Sequence, residues 1–384
     1  MTTERPRPED FLELVERAKR GRLKLYIGFA AGVGKTYRML EEAHALRKRG
    51  VDVVIGLVET HGRAETATLL DGLEIVPTRR VGYRGLAVEE MDLDAVLARR
   101  AQVAIVDEIA HTNAPNSRHP KRYQDVLAIL DAGINVICAF NVQHLESLKD
   151  VVERVTGVVI RETVPDTFLK QADQIVNIDL DVDDLLDRLR AGKIYAPEKV
   201  AWALDHFFKP NHLLSLRELA LREVAETVER AVSGLVTSRD ADHNPRPNAR
   251  VMVCVASSSP HAQVLLRRGS RFAGRLNTDW YVVYVETPRE APTLIDSEAQ
   301  RRLLATIDKA RELGAEVVKL RSRDPVSALL DFARGNGVGY IMIGRGRQPW
   351  WRRLLRSSAM DRFVHEAEGF DVHIVSFPDE ERHP

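Results

Sequence analysis

Only two cysteines occur in 384 residues, and both Cys138 and Cys254 lie inside apolar runs. That excludes a disulfide framework and a thiolate metal site, and each reads as a small buried hydrophobe. No run of about 18 apolar residues is present, so no membrane-spanning helix is encoded. The segment Met1 to Asp10 is polar and proline-bearing, without the apolar stretch of a secretory signal. Neither sign of charge is in excess, because 56 Lys+Arg balance 56 Asp+Glu. A neutral chain has no global pull toward nucleic acid or an anionic membrane, and no nucleic-acid partner is expected. A reducing cytoplasm fits these absences, with any membrane association arising through partners. What is present, 44% hydrophobic and 29% charged residues, is the make-up of a globular protein with room for two or three domains.

The most informative stretch is Lys24 to Thr36, which reads as a strand, a glycine-bearing turn and the start of a helix. It closes in Gly-Lys-Thr, the end of a phosphate-binding P-loop. Gly32 and Gly34 permit backbone conformations that a Cβ would block, and amides from Gly32 through Gly34, Val33 included, can then face a phosphate. Lys35 can reach the β- and γ-phosphates of ATP, and the Thr36 hydroxyl can ligate Mg²⁺. The motif departs from the full pattern at one place. Glycine is expected at position 29, but Phe29 stands there with Gly28 one step earlier. A bulky residue at 29 is expected to narrow the pocket.

The chain continues as helix 36–49 and a near-continuous apolar strand 51–58, as in a parallel sheet covered on both faces. That strand ends in Glu59-Thr60-His61-Gly62-Arg63, at the carboxyl end where open α/β sheets place ligands. Glu59 is therefore one candidate catalytic carboxylate. A strand and a basic loop (Arg79, Arg80, Arg84) are read over 74–85. Val103-Ala104-Ile105-Val106-Asp107-Glu108 has the Walker B pattern of four apolar residues and two acids. Asp107 would place Mg²⁺, and Glu108 would polarise an attacking hydroxyl or water. Residues 109–122 form a long polar, basic loop, placed to behave as a γ-phosphate switch, with Arg118 or Arg122 as charge-stabilising candidates. Strand 136–140 delivers Asn141 toward the γ-phosphate, whereas His144 reads as structural. Residues 145–155 read as one helix, and 212–232 as a long amphipathic helix packing on its own domain or its neighbour.

Several segments together resemble the N-terminal cytoplasmic region of the KdpD family, bacterial sensor kinases for potassium limitation and osmotic stress. They include Gly32-Val33-Gly34-Lys35-Thr36, Val58-Glu59-Thr60-His61-Gly62-Arg63, Asp107-Glu108-Ile109-Ala110-His111 with Asn113-Ala114-Pro115, and Ser117-Arg118-His119-Pro120-Lys121-Arg122. Asn141-Val142-Gln143-His144-Leu145-Glu146-Ser147-Leu148, Arg161-Glu162-Thr163-Val164-Pro165-Asp166 and Leu216-Arg217-Glu218-Leu219-Ala220-Leu221-Arg222 extend the likeness, which covers about residues 9–378. The resemblance implies ATP binding and phosphorylation of a serine on the ATPase subunit of the Kdp potassium pump. It also implies a membrane sensor and histidine-kinase partner half. This sequence shows no such half, so histidine-kinase activity is not expected of it.

The expected fold class is α/β, in two parts. Residues 1–237 form a P-loop NTPase-like parallel-sheet domain, 238–249 a polar linker, and 250–378 a doubly wound domain resembling the universal stress protein fold. Some universal stress proteins bind ATP through a glycine motif. Here Gly344, Arg347, Ser357 and Ser358 keep its spacing but lose two glycines, so ATP binding is not expected there. Ser257, Ser259 and Tyr284 stand where some KdpD members bind cyclic di-AMP, against the plain reading of a turn and a core strand. Residues 347–356, basic and tryptophan-bearing, read either as a contact for anionic lipid or an acidic partner, or as a packed helix entrance.

Two functions from different classes follow. One is a P-loop serine kinase or ATPase, with Lys35 and the turn amides on phosphate, Thr36 and Asp107 on Mg²⁺, and Glu108 or Glu59 as base. The other is a non-catalytic module that senses ATP or a second messenger and reports by changing its contacts.

Overall fold

Alternation along Leu23-Lys24-Leu25-Tyr26-Ile27-Gly28 sends Leu23, Leu25 and Ile27 into one core and Tyr26 into another, and the segment forms strand β1 (Leu23–Gly28). The computed structural model describes residues 19–83, 86–237, 250–256, 259, 261–276, 278–288, 296–344 and 359–377. The expected linker 238–249, Ser257, Arg347, Ser357, Ser358 and the basic stretch 347–356 lie outside them. Contacts divide the chain into two compact units, Met1–Val164 with Phe168–Val224, and Pro165–Thr167 with Ala225–Pro384.

In the first unit, β1 leads into α1 (Lys35–Lys48), then β2 (Val53–Leu57), α2 (Ala64–Ala67) and β3 (Glu74–Ile75). A hairpin β4 (Arg79–Tyr83) and β5 (Leu86–Glu90) follows, then α3 (Leu93–Arg99), β6 (Val103–Val106), α4 (Arg122–Asp131) and β7 (Asn135–Asn141). The unit continues with α5 (Lys149–Thr156), β8 (Gln174–Ile178), α6 (Val182–Arg190), α7 (Pro197–Asp205) and α8 (Pro210–Thr237) as far as Val224. Six parallel strands pair in the order β3-β2-β6-β7-β1-β8. Both faces are covered, which is why β2 and β6 are buried along their whole length. Met39, Leu40 and Ala43 of α1 pack on Tyr26, Ile55, Ile105 and Ile137 on one side. On the other, Val126 and Ile129 of α4, Leu185 and Leu189 of α6, and Leu213, Leu216 and Ala220 of α8 join Leu25 and Ile27.

Local signals set the ends of several helices. Asp92 accepts from the Ala95 amide at 3.0 Å to open α3, and Asp181 from the Asp183 amide at 3.0 Å to open α6. The Lys121 amide donates to Gln124 Oε1 at 3.1 Å at the start of α4.

Two local expectations are corrected. The basic loop begins as a strand, because β4 pairs antiparallel with β5 and sets Val81 against Val88 and Arg80 against Glu89. Alternating apolar and charged residues suit a ribbon with one wet face. Residues 145–155 are not one helix. Short 3₁₀ turns at Val142–His144 and Glu146–Leu148 precede α5, and the Glu146 amide is taken by the Val164 carbonyl at 3.0 Å.

The second unit holds β9 (Arg250–Val255), α9 (Ala262–Arg275), β10 (Trp280–Glu286), α10 (Ser297–Glu312), β11 (Glu316–Arg321), α11 (Pro325–Gly335), β12 (Val338–Gly344), α12 (Ala359–Glu366) and β13 (Asp371–Val375). Its five strands are parallel in the order β11-β10-β9-β12-β13, the doubly wound arrangement expected. Leu265 and Leu266 of α9 pack with Leu303 and Ala310 of α10 on one face, and Val326 and Leu330 of α11 with Phe363 of α12 on the other.

Candidate functional site

The turn after β1 takes its shape from its glycines. Gly32 and Gly34 have φ of 89° and 104°, the left-handed region that disfavours any side chain. A Cβ on Gly32 would lie 2.3 Å from Ile194 Cδ1, so the turn and the segment after α6 close on each other there. A Cβ on Gly28 would lie 2.5 Å from Val33 Cγ2 and 3.0 Å from Lys35 Cδ. The glycine is thus needed at 28, where the Lys35 stem crosses. Phe29 is 1% exposed within the core and does not line the site cavity, so it does not narrow the pocket as expected.

Three strand ends bring the polar groups together. Lys35 Nζ donates to the Ala30 carbonyl at 3.0 Å and to Asn141 Oδ1 at the end of β7. Thr36 Oγ1 donates to Asp107 Oδ2 at 2.7 Å at the end of β6, and the Glu108 amide donates to Asp107 Oδ1 at 2.9 Å. Because β7 lies between β1 and β6, Asn141 stands between the turn and the two acids in the sheet order. Burial pulls the Lys35 ammonium down to about 8 despite attraction from Asp107 and Glu108. Burial also raises the Asp107 carboxyl, and the neighbouring Glu108 charge adds to this.

Glu108 and His61 both have positive φ, 52° and 51°, and both are non-glycine residues. Such backbone strain clusters at working sites. The two meet, with His61 Nε2 3.3 Å from Glu108 Oε1 and His61 Nδ1 3.6 Å from Glu59 Oε2. His61 bridges the two candidate bases. The bond to His61 holds the Glu108 carboxyl below its ordinary range, and the same bond raises the His61 pKa.

These groups border a cavity of about 310 Å³ lined by the turn, Lys35, Thr36, His61, Asp107, Glu108 and Asn141. Arg63, Arg188 and Lys193 line it too. Arg63 was visible as part of a strand-end cluster. Arg188 and Lys193 come from the end of α6 and the segment after it, and no motif marked them. Glu59 is not among the lining residues and reaches the cavity through His61. Arg118 is also not among them, and its guanidinium pairs with Asp94 at 3.4 Å on the surface. In the second unit, Tyr284 is 2% exposed within the core, while Ser259 is half-buried, its amide on the Ala256 carbonyl at 3.1 Å.

The loop expected to act as a switch is hydrogen-bonded to the elements around it. Glu90, 3% exposed at the end of β5, accepts from the Ala114 amide at 2.8 Å and faces His111 Nε2 at 3.1 Å and Arg122 Nη2 at 3.3 Å. Asn113 Nδ2 donates to Asp125 at 2.7 Å, and the Thr112 amide to Glu162 at 2.7 Å. Arg122 is buried and also donates to the Glu108 carbonyl at 3.3 Å, so it supports the acid rather than lining the cavity. His144 is tied to the Glu162 carbonyl at 2.9 Å.

The residues fit a nucleotide with Mg²⁺. Gly32 and Gly34 leave the backbone of the turn bare along the cavity, with Lys35 beside them. A hydroxyl and a carboxylate converge as Mg²⁺ requires when phosphate oxygens and waters complete its shell. Among the described residues no group of three or more His, Cys, Asp or Glu could hold a metal. No described helix is long and apolar enough to cross a membrane.

Comparison with known proteins places these features in a family. The model of the KdpD osmosensitive K⁺ channel His kinase sensor domain matches residues 19–228, and that of the universal stress protein family matches 247–376. The sensor protein KdpD of Escherichia coli is 43% identical over 373 residues, 97% of this chain and 41% of its own length. A KdpD-type sensor protein of Synechocystis sp. is 42% identical over 366 residues, 93% of this chain and 95% of its own. The chain thus spans about two fifths of the Escherichia coli relative and nearly all of the Synechocystis one. A universal stress protein structure from Archaeoglobus fulgidus aligns at 24% identity over 33% of this chain and 91% of its own, with a TM-score of 0.27. With a sensor-domain match over more than half its length and a relative matched nearly end to end, the chain belongs to the KdpD family of sensor proteins.

Proposed function

We propose that this KdpD-family module binds ATP with Mg²⁺ in the cavity of its first unit and transfers the γ-phosphoryl group to a protein serine. The observation that carries the reading is the convergence of Lys35, Thr36, Asp107, Glu108 and Asn141 from three neighbouring strand ends onto one cavity. Backbone amides of the turn and Lys35 would take the phosphates, and Thr36 and Asp107 would hold Mg²⁺, which neutralises β- and γ-oxygens when bound. The serine oxygen would attack the γ-phosphorus as the bond to the β–γ bridging oxygen breaks. The hydroxyl proton would pass to Glu108, kept ionised by His61. The acceptor we propose is the ATPase subunit of the Kdp potassium pump, with a membrane sensor and histidine-kinase partner as the wider setting. Incubation with labelled ATP, Mg²⁺ and purified pump should yield phosphoserine on the pump subunit. Lys35→Ala should abolish it, and undiminished transfer by that variant would refute the assignment.

A non-catalytic ATP sensor is the second reading, and the hydrogen bonds of the loop at 109–122 to Glu90, Asp125 and Glu162 are contacts that such a module would change. Wild-type protein that binds ATP and transfers phosphate to neither serine nor water would establish this reading over the first.

A further inference from the structure

Cations outside the P-loop motif share its cavity. Arg63 follows β2, Arg188 lies in the last turn of α6, and both line the cavity with Lys35. Neither guanidinium has a carboxylate partner among the described residues. Arg63 gives its Nε to the Ile194 carbonyl at 3.3 Å, and Arg188 Nε is buried with no partner. Their neighbours are paired: Arg190 with Asp187 at 2.7 Å, and Lys193 with Glu65 at 3.0 Å. Acids are therefore available in these segments, and the two arginines facing the cavity are left without one. A half-buried guanidinium with no carboxylate in contact is only partly compensated by the more distant charges of Asp107 and Glu108, and Arg63 and Arg188 repel each other, so an anion between them is favoured.

The position of Arg63 tells which end of a nucleotide it would meet. It lies close enough to Lys35, Asp107 and Glu108 to interact with their charges, at the metal and terminal-phosphate end. The planar, permanently charged fork of arginine matches two phosphate oxygens at once. Arg118, the arginine that the sequence suggested for this task, is on the surface with Asp94.

We propose that Arg63 and Arg188 form a terminal-phosphate clamp, by which this chain distinguishes a nucleoside triphosphate from a diphosphate using its own two arginines. The proposal rests on reading the cavity as a nucleotide site. It gives either functional reading its γ-phosphate detector, in the place of the tethered loop.

The test is equilibrium binding to the full chain in Mg²⁺ buffer, with ADP and the non-hydrolysable triphosphate AMP-PNP as probes. Wild type should prefer AMP-PNP by about 10- to 100-fold, the scale of charge-assisted hydrogen bonds to one phosphate. Arg63→Gln and Arg188→Gln should each lower that preference, and together bring it near unity, with ADP affinity changed by less than about threefold. If one variant fails to fold, the other still carries the test. Equal wild-type affinity for the two probes, an unchanged preference in folded variants, or an equal loss of ADP and AMP-PNP binding would each overturn the clamp while leaving the nucleotide site standing. Wild-type protein that binds neither probe would overturn both.

Discussion

Lys35→Met separates stability from function at the centre of the site. The ammonium is charged inside the protein, and its pKa falls from 10.5 to about 8 chiefly through burial. That fall corresponds to about 3 kcal/mol of unfavourable charging in the fold at neutral pH. Methionine keeps the stem and drops the charge, but leaves the Ala30 carbonyl and Asn141 Oδ1 without their donor. Asn141 Oδ1 borders the cavity and can take water instead, so the buried Ala30 carbonyl sets the cost, about 1–3 kcal/mol. The substituted unit should therefore be about 0–2 kcal/mol more stable than wild type at pH 7 while losing nucleotide binding. The pH dependence carries a definite sign. From about pH 8 to 10.5 the unfolded chain still holds the Lys35 proton and the folded chain has released it, so wild-type stability rises with pH in that window. The Lys35→Met protein lacks this rise, so its advantage should shrink as pH increases. Cys138, fully buried in β7, gives the readout: its alkylation in urea, followed by peptide mass and normalised to unfolded chain, reports opening of this unit alone. A variant about 2 kcal/mol less stable than wild type at pH 7, or a gap that does not narrow by pH 10, would refute the reasoning.

Other perturbations have equally definite outcomes. Gly34→Ala meets no atom within 4 Å and should cost only the left-handed backbone term, about 1–2 kcal/mol in the same urea assay. Gly32→Ala adds the collision with Ile194 and should cost about 1–3 kcal/mol more, with weaker nucleotide binding by titration. Glu90→Ala strands buried Arg122 and frees the Ala114 amide. It should cost about 3–5 kcal/mol and make residues 109–121 sensitive to limited proteolysis. Arg118→Ala removes only a surface pair with Asp94, so stability should change by less than about 0.5 kcal/mol and phosphate release from ATP should match wild type.

The central strands β2, β6, β7, β9, β10 and β12 were legible because each is a short, largely apolar run. The glycine turn before Lys35 and the two acids at the end of β6 were legible because their motifs fit into consecutive residues. The hairpin β4–β5 was less so, since Arg79 and Arg80 read as a basic loop until their cross-strand partners Glu90 and Glu89 were in view. Phe29 misled for a related reason. A motif mismatch says that a residue is large, not which way it points, and this one points into the core.

By itself the sequence determined the local conformations and the chemical inventory: a glycine turn before Lys35-Thr36, acids at 107 and 108, and a polar residue ending the strand at 141. Hydrogen bonding within a few residues and the period of apolar positions act locally, so one chain segment carries that information. Only the tertiary structure decided which of these groups share a space. The placing of β7 between β1 and β6 puts Asn141 against Lys35, the end of α6 carries Arg188 to a cavity that starts at residue 31, and the surface keeps Arg118. Those outcomes depend on how helices cover a six-stranded sheet, and that packing is a property of the whole unit rather than of any stretch within it.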